Sequence, residues 1–222
     1  MGSLLLLNGS PKAERANTLV MLAPLGEGWA AEGGEVRVLH LARKTEFAEA
    51  IAAFPDADAV VLGMPLYTDS MPSPVKDFIE ALAPYRGGKG NPMLGFLIQS
   101  GFFEALHSRT LERYLAKLAG RLGSPYAGTI ARGGGEAVGQ MPPQANRKLF
   151  SALRALGSGL ARGEAFDSES LRIAAGTERF APPVAAALNV AFLAPVLQGF
   201  WNRQLKKNGA WEERFATPYA PR

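Results

Sequence analysis

The sequence predicts an α/β fold: a parallel sheet with helices on both faces, doubly wound into three layers. Three observations carry this. Strand-like and helix-like patterns alternate five times before Gly163. The central strand-like runs are continuously apolar, as in strands buried on both faces, not alternating as in half-exposed ones. The helix-like segments carry one apolar stripe each. Right-handed crossovers between parallel strands then place helices above and below the sheet.

The elements follow in order. Leu4–Leu7 is a short apolar run ended by Asn8-Gly9-Ser10-Pro11, a strand and its loop. Ala16–Ala31, rich in alanine and leucine and stopped at Gly33-Gly34, reads as a helix. Val36–Leu39 is the second strand, Glu46–Phe54 a short helix, and Ala57–Gly63 the third strand, opening into Met64-Pro65-Leu66-Tyr67-Thr68. Ser73 as N-cap and Pro74 at the first helical position start a helix, whose Val75, Phe78, Ile79 and Leu82 share one face. Pro92–Gln99 is the fourth strand; Leu111, Tyr114, Leu115, Leu118 and Leu122 stripe the next helix. Tyr126–Ala131 is the fifth strand, followed by a glycine-rich loop, and Leu149, Leu153, Leu156 and Leu160 stripe another helix.

Past Gly163 the pattern changes, which divides the chain into a domain over 1–163 and a helical extension over 164–222, packed on that domain or on a partner subunit. Asp167–Gly176 reads as a short helix or turn. Pro183–Leu205 is apolar, and its core, Val184–Trp201, is long enough to raise the question of a membrane span. Pro195 at its centre and the flanking residues favour a buried or interface helix pair kinked at that proline.

Composition narrows the chemistry. The chain has 222 residues, 47% apolar and 20% charged, which is globular. With no cysteine, disulfides, thiolate zinc, cysteine-ligated iron–sulfur clusters and a cysteine nucleophile are excluded. Only His40 and His107 are available, so no metal site is expected. The net charge is +4 and the pI about 9.5, with no basic tail or block, which argues against nucleic acid and for mild attraction of small anions. The N-terminus has no charged region ahead of its apolar strand, so a cytoplasmic setting is expected.

In an open parallel sheet ligands bind outside the carboxyl ends of the strands, near the switch in strand order. The loop after the first strand, residues 8–18, offers Ser10, Lys12, Asn17 and Thr18 beside a helix N-terminus, a combination suited to a phosphate. It matches neither G-x-x-x-x-G-K-[ST] nor G-x-G-x-x-G. An ordinary β-α turn with Ser10 and Asn17 as caps is the plain alternative. The loop over 64–74 is stiffened by Pro65, Pro72 and Pro74 and carries Tyr67, which suits a flat heterocycle or, more simply, packing. The loop over 99–104 brings Gly101 beside Phe102.

Taken together, Asn8-Gly9-Ser10-Pro11 with Asn17-Thr18, then Gly63-Met64-Pro65-Leu66-Tyr67, then Pro74-Val75-Lys76-Asp77-Phe78 resemble the flavodoxin-like NAD(P)H-dependent FMN reductase family over about residues 3–140. The resemblance implies a flavodoxin-like sheet in the order 2-1-3-4-5, non-covalent FMN, and a homodimer or homotetramer. It implies that hydride passes from NAD(P)H to flavin N5 and on to a small-molecule acceptor such as a quinone, nitro or azo compound. Carried over by position, Ser10, Lys12, Asn17 and Thr18 face the phosphate, Pro65, Leu66, Tyr67 and Thr68 run along the ring, and Ser100, Gly101 and Phe102 close it from the fourth strand. The end of the chain is similar to a longer branch of that family. The hard chemistry belongs to the flavin, so no catalytic side chain is expected; His107 reads as a capping or surface residue. The basic charge and the absence of a Thr/Ser–Gly-rich phosphate loop favour a reductase over a flavodoxin-type carrier. A non-catalytic electron carrier or flavin store, and a nucleotide-binding protein without flavin, remain alternatives.

Overall fold

A computed structural model describes residues 2–188 and 194–217, in two compact units, residues 1–179 and 180–222. In the first unit, β1 (Ser3–Asn8), β2 (Glu35–His40), β3 (Ala59–Pro65), β4 (Met93–Gln99) and β5 (Tyr126–Arg132) form one sheet in the order β2-β1-β3-β4-β5. All neighbouring pairs are parallel, as the apolar runs and the family resemblance implied. Around the sheet lie α1 (Asn17–Ala31), α2 (Lys44–Ala53), α3 (Ser73–Ala81), α4 (Arg109–Leu122), α5 (Gly135–Val138), α6 (Arg147–Ala161) and α7 (Ser168–Ala175).

The apolar strands feed two cores. Leu5, Leu7, Val60, Leu62, Phe96 and Ile98 point to one face, where Phe78 of α3 and Leu115 of α4 cover them. Leu4, Leu6, Val61 and Ile130 point to the other, under Leu22 and Leu25 of α1 and Leu153 and Leu156 of α6. Alternation sends successive side chains to opposite faces, and because both faces are covered every position must be apolar. The edge strand β2 is exposed at Glu35, Arg37 and Val38, and its polar residues guard its open side.

Helices α1 and α6 lie in backbone contact. A Cβ built on Gly28 would sit 2.0 Å from the Arg154 carbonyl oxygen, and one on Gly157 would sit 2.0 Å from that of Leu25. Ser158 Oγ donates to the Gly28 carbonyl at 3.0 Å. Arg154–Glu27 at 2.7 Å and Arg162–Glu32 at 3.0 Å flank the crossing.

Several boundaries differ from expectation. Ser73 is the first residue of α3, with Pro72 as its N-cap, and its side chain makes no capping bond. Proline holds φ near −65°, which suits both the extended N-cap Pro72 and the first turn at Pro74, and this starts the helix without a hydroxyl cap. The first unit continues past Gly163 because α7 packs on α6 and β5. In the second unit the apolar segment forms α8 (Pro182–Leu188) and α9 (Ala194–Lys207). Residues 189–193, which precede Pro195 and separate the two helices, lie outside the described residues, and the expected kink at that proline falls there. Gly209, at φ +69°, follows the basic end of α9 as a left-handed stop. Among the described residues no helix is long and apolar enough to cross a membrane.

Candidate functional site

The strand order reverses between β1 and β3, so the crevice opens where their carboxyl ends diverge. Gly9 follows β1, and its N–H donates to the Gly63 carbonyl at 2.8 Å. A Cβ there would lie 2.1 Å from Val75 Cγ2, so the loop passes between β3 and α3 only as glycine. Ser10 is buried, and its Oγ accepts from the Lys12 N–H at 3.3 Å. A 3-10 turn over Ala13–Arg15 then leads into α1, and Ala13 adopts φ +47° to enter it.

Helix α1 starts at Asn17 with Ala16 as N-cap, makes no side-chain cap bond and has no acid in its first turn. Its first N–H groups therefore lack intrahelical partners and present the positive end of the helix dipole. Asn17 Nδ2 donates to the Glu136 carbonyl at 3.0 Å, tying the loop after β1 to the loop after β5. Thr18 is 0% exposed, and its Oγ1 has no partner.

The loop after β3 turns back on itself. Tyr67 and Ser70 exchange backbone bonds of 2.9 and 3.0 Å across Thr68 and Asp69, both at positive φ (+49° and +61°). Such a turn is ordinarily Asn-Gly, and a β-branched residue in it is strained. The Leu66 N–H donates to the Gln99 carbonyl at 2.7 Å, joining this loop to the end of β4. Beyond β4, the Ser100 N–H donates to the Arg132 carbonyl at 3.0 Å and the Gly135 N–H to the Ser100 carbonyl at 2.7 Å. A Cβ on Gly133 would meet the Phe103 carbonyl oxygen at 2.4 Å, so the β4 and β5 loops touch through their backbones.

These loops border a small cleft lined by Ser10, Lys12, Asn17, Pro65, Leu66, Tyr67, Gln99, Ser100, Gly101 and Glu136. Eight of the residues singled out in the sequence thus meet at one place. The other three lie around it. Thr18 is buried outside the lining, Thr68 is exposed in the strained turn, and Phe102 is 53% exposed. Tyr67, 45% exposed, adds a second aromatic at the mouth. His107 stacks on Phe102 with ring centroids 4.3 Å apart and is exposed, a surface residue as expected.

Sequence reasoning missed Gln99 and Glu136. Gln99 is a polar residue ending an apolar strand, a signal that was available; it is buried with Oε1 unpartnered. Glu136 lies in the first turn of α5, too short a helix to leave a periodic pattern. Arg132, at the end of β5, turns its guanidinium toward α7 and donates to the Ala174 carbonyl at 3.2 Å, and burial pulls its pKa down. Among the described residues no group of side chains could hold a metal ion.

A family model described as "Flavodoxin-like fold" matches residues 2–86. No curated protein matches the sequence. Among solved structures, a rubredoxin oxygen:oxidoreductase from Desulfovibrio gigas is similar at 18% identity and TM-score 0.54, over 73% of this chain but only 36% of that one. An FMN-dependent NADH-azoreductase from Bacillus anthracis, solved in complex with FMN, is similar at 15% identity and TM-score 0.56, over 72% of this chain and all of that one. An NADH:FMN oxidoreductase in its apo form is similar at 14% identity and TM-score 0.58, over 83% of this chain and 99% of that one. Strand order, the family model and these structures agree: the chain carries the flavodoxin-like fold.

Proposed function

We propose that this protein is an FMN-dependent oxidoreductase that takes hydride from NAD(P)H and passes it to a small-molecule electron acceptor of the quinone, nitro or azo class. One observation carries the reading: the phosphate-suited loop, the proline-stiffened loop and the Ser100–Gly101 loop line a single cleft at the switch point of a flavodoxin-like sheet. Similarity in fold to proteins described as an FMN-dependent NADH-azoreductase and an NADH:FMN oxidoreductase supports it.

The residues present fit FMN. Its phosphate is dianionic or nearly so, and the cleft sets against it the free N–H groups of α1, the Ser10 and Asn17 side chains and the Lys12 ammonium. Among the buried polar atoms without a protein partner, Gln99 Oε1 belongs to a residue of the cleft lining, and such an atom costs stability unless something else satisfies it. When bound, FMN supplies hydride transfer between a nicotinamide and an acceptor. The chain's own share is placement: Pro65, Leu66, Tyr67 and Thr68 border one side of the ring, and Ser100, Gly101 and Phe102 the other. The exposed Tyr67 and Phe102 offer apolar faces against which a flat acceptor stacks. Assembly as a homodimer or homotetramer belongs to the same reading, with residues 180–222 supplying contacts.

The test is reconstitution of the purified protein with FMN and FAD, followed by NADH and NADPH oxidation rates over a panel of acceptors. Preferential FMN binding with rapid acceptor-dependent oxidation is expected, because the phosphate loop suits one terminal monophosphate. A protein that binds neither flavin, or prefers FAD, overturns the assignment of the loop.

A further inference from the structure

The buried contact behind the β1 loop involves a histidine that the proposed reaction leaves unused. Asn8, fully buried at the end of β1, makes three hydrogen bonds with its side chain. Nδ2 donates to the Ala13 carbonyl at 2.8 Å, Oδ1 accepts from the Ser10 N–H at 3.1 Å, and Nδ2 lies 3.0 Å from Nδ1 of His40 on the adjacent strand. The backbone fixes which way the amide points, since a carbonyl only accepts and an N–H only donates. The second hydrogen of Nδ2 is therefore directed at His40 Nδ1, which must offer a lone pair. The imidazole is neutral, with its proton on Nε2.

We propose that Asn8 and His40 are positioning residues of the FMN phosphate loop. His40, as an obligate acceptor, orients the Asn8 amide, and that amide clamps Ser10 and the positive-φ residue Ala13 in the shape that receives the phosphate. The proposal rests on the reading of residues 10–18 as the phosphate loop. The clamp spans the bend at which the chain leaves β1 and enters the 3-10 turn, where Ala13 at φ +47° needs outside support.

Protonation of Nδ1 replaces the acceptor with a donor and sets two N–H groups against each other. The charged groups facing His40 do not remove this conflict. From α2, Glu46 Oε2 accepts the His40 backbone N–H at 2.6 Å, and the Glu46 carboxyl is held below its usual range first by its bond to Arg43. Arg43 also pairs with Glu14 of the loop itself. The Glu46 carboxylate meets the His40 backbone and not Nδ1, so it leaves the Asn8–Nδ1 contact as it is. Acidification consequently loosens the clamp.

Two measurements test this. In the flavin-free protein, nitrogen NMR of the His40 side chain at about pH 8 should find Nδ1 bare and Nε2 protonated. Affinities for FMN and for riboflavin, which lacks the phosphate, are then compared between about pH 8 and about pH 5 in the wild type, His40→Gln and His40→Leu. Gln can accept the Asn8 bond without titrating, and Leu cannot accept it. At the upper pH His40→Leu should lose about fivefold in FMN over riboflavin preference, as expected for one buried hydrogen bond, and His40→Gln should retain it. On acidification the wild-type preference should fall about fivefold further than that of His40→Gln; titration of the FMN phosphate itself is common to both proteins and cancels. A ring protonated on Nδ1, or a His40→Leu variant with wild-type preference and pH profile, overturns the positioning role while leaving FMN binding intact. Equal affinity for FMN and riboflavin in the wild type at every pH overturns the phosphate-loop reading and the clamp's function with it.

Discussion

Exchanging glycine for alanine at two helical positions should move stability in opposite directions. In a helix interior alanine is favoured over glycine by about 1 kcal/mol, so propensity alone makes Gly28→Ala and Gly120→Ala equally stabilising. Their surroundings differ. Around Gly120 of α4 a new Cβ meets nothing within 4 Å, whereas on Gly28 it lies 2.0 Å from the Arg154 carbonyl oxygen. Ordinary contact begins near 3.4 Å, and the obstacle is backbone and cannot rotate away. Helix α6 must shift by about 1 Å or more, which opens gaps among the leucines beneath it, and overpacking of this kind costs about 1–3 kcal/mol or more. The net expectation is a loss of about 2 kcal/mol for Gly28→Ala and a gain of about 1 kcal/mol for Gly120→Ala. At about 2–4 °C per kcal/mol for a chain of this size, Tm should fall by about 4–8 °C in the first case and rise by about 2–4 °C in the second. Circular dichroism melts of the intact chain measure both. A Gly28→Ala protein melting at or above the wild type would refute the backbone contact between α1 and α6.

Other perturbations probe the site and the caps. Ser10→Ala should weaken FMN by about tenfold while sparing riboflavin, because Ser10 lines the cleft and a hydrogen bond to a charged phosphate is worth about 1.5–3 kcal/mol; isothermal titration that finds FMN affinity unchanged puts the phosphate elsewhere. Thr68→Gly should stabilise the protein by about 1 kcal/mol, since relief of about 1–3 kcal/mol of strain exceeds the extra freedom of glycine in the unfolded chain, and urea unfolding at constant m-value checks it. Asp167 caps α7 by accepting the Ser170 N–H at 2.8 Å, chiefly through which its carboxyl pKa is lowered. A depressed folded pKa gives stability that is present above the unfolded value and lost as pH falls through the folded one. Asp167→Asn keeps a cap that does not titrate, so the wild type's advantage over it should shrink below about pH 4, and an advantage constant with pH contradicts this.

The fold was legible because burial on both faces leaves a plain mark: Leu4–Leu7 and Ala59–Leu62 are apolar at every position, and no other environment asks that of a short strand. The loops were legible as a set, since strand ends at a switch point converge whatever their sequence. What escaped depends on contacts between distant segments. Thr18 reads as a ligand-facing hydroxyl next to Asn17, yet the start of α1 depends on the 3-10 turn before it, and that turn rotates Thr18 inward. The clamp on Ala13 needs His40, 27 positions further on, which pattern reading sees only as the end of β2. Gly163 looked like a boundary because it ends a helical stripe, but α7 carries Ala174 and packs against the same core, which only the folded chain shows.

The turn at Thr68 and Asp69 bears on the kinetics of recognition as well as on stability. Free energy held there as strain is spent at synthesis, once, and not at each encounter with a ligand. A rim already set in its bound outline loses little freedom when it is occupied, so more of each contact survives as affinity. The same stiffness narrows the range of shapes that the cleft can admit: a planar guest slides between fixed walls, and a bulky one finds no wall that yields. Softening the turn with glycine should therefore broaden what binds while weakening how tightly it is held.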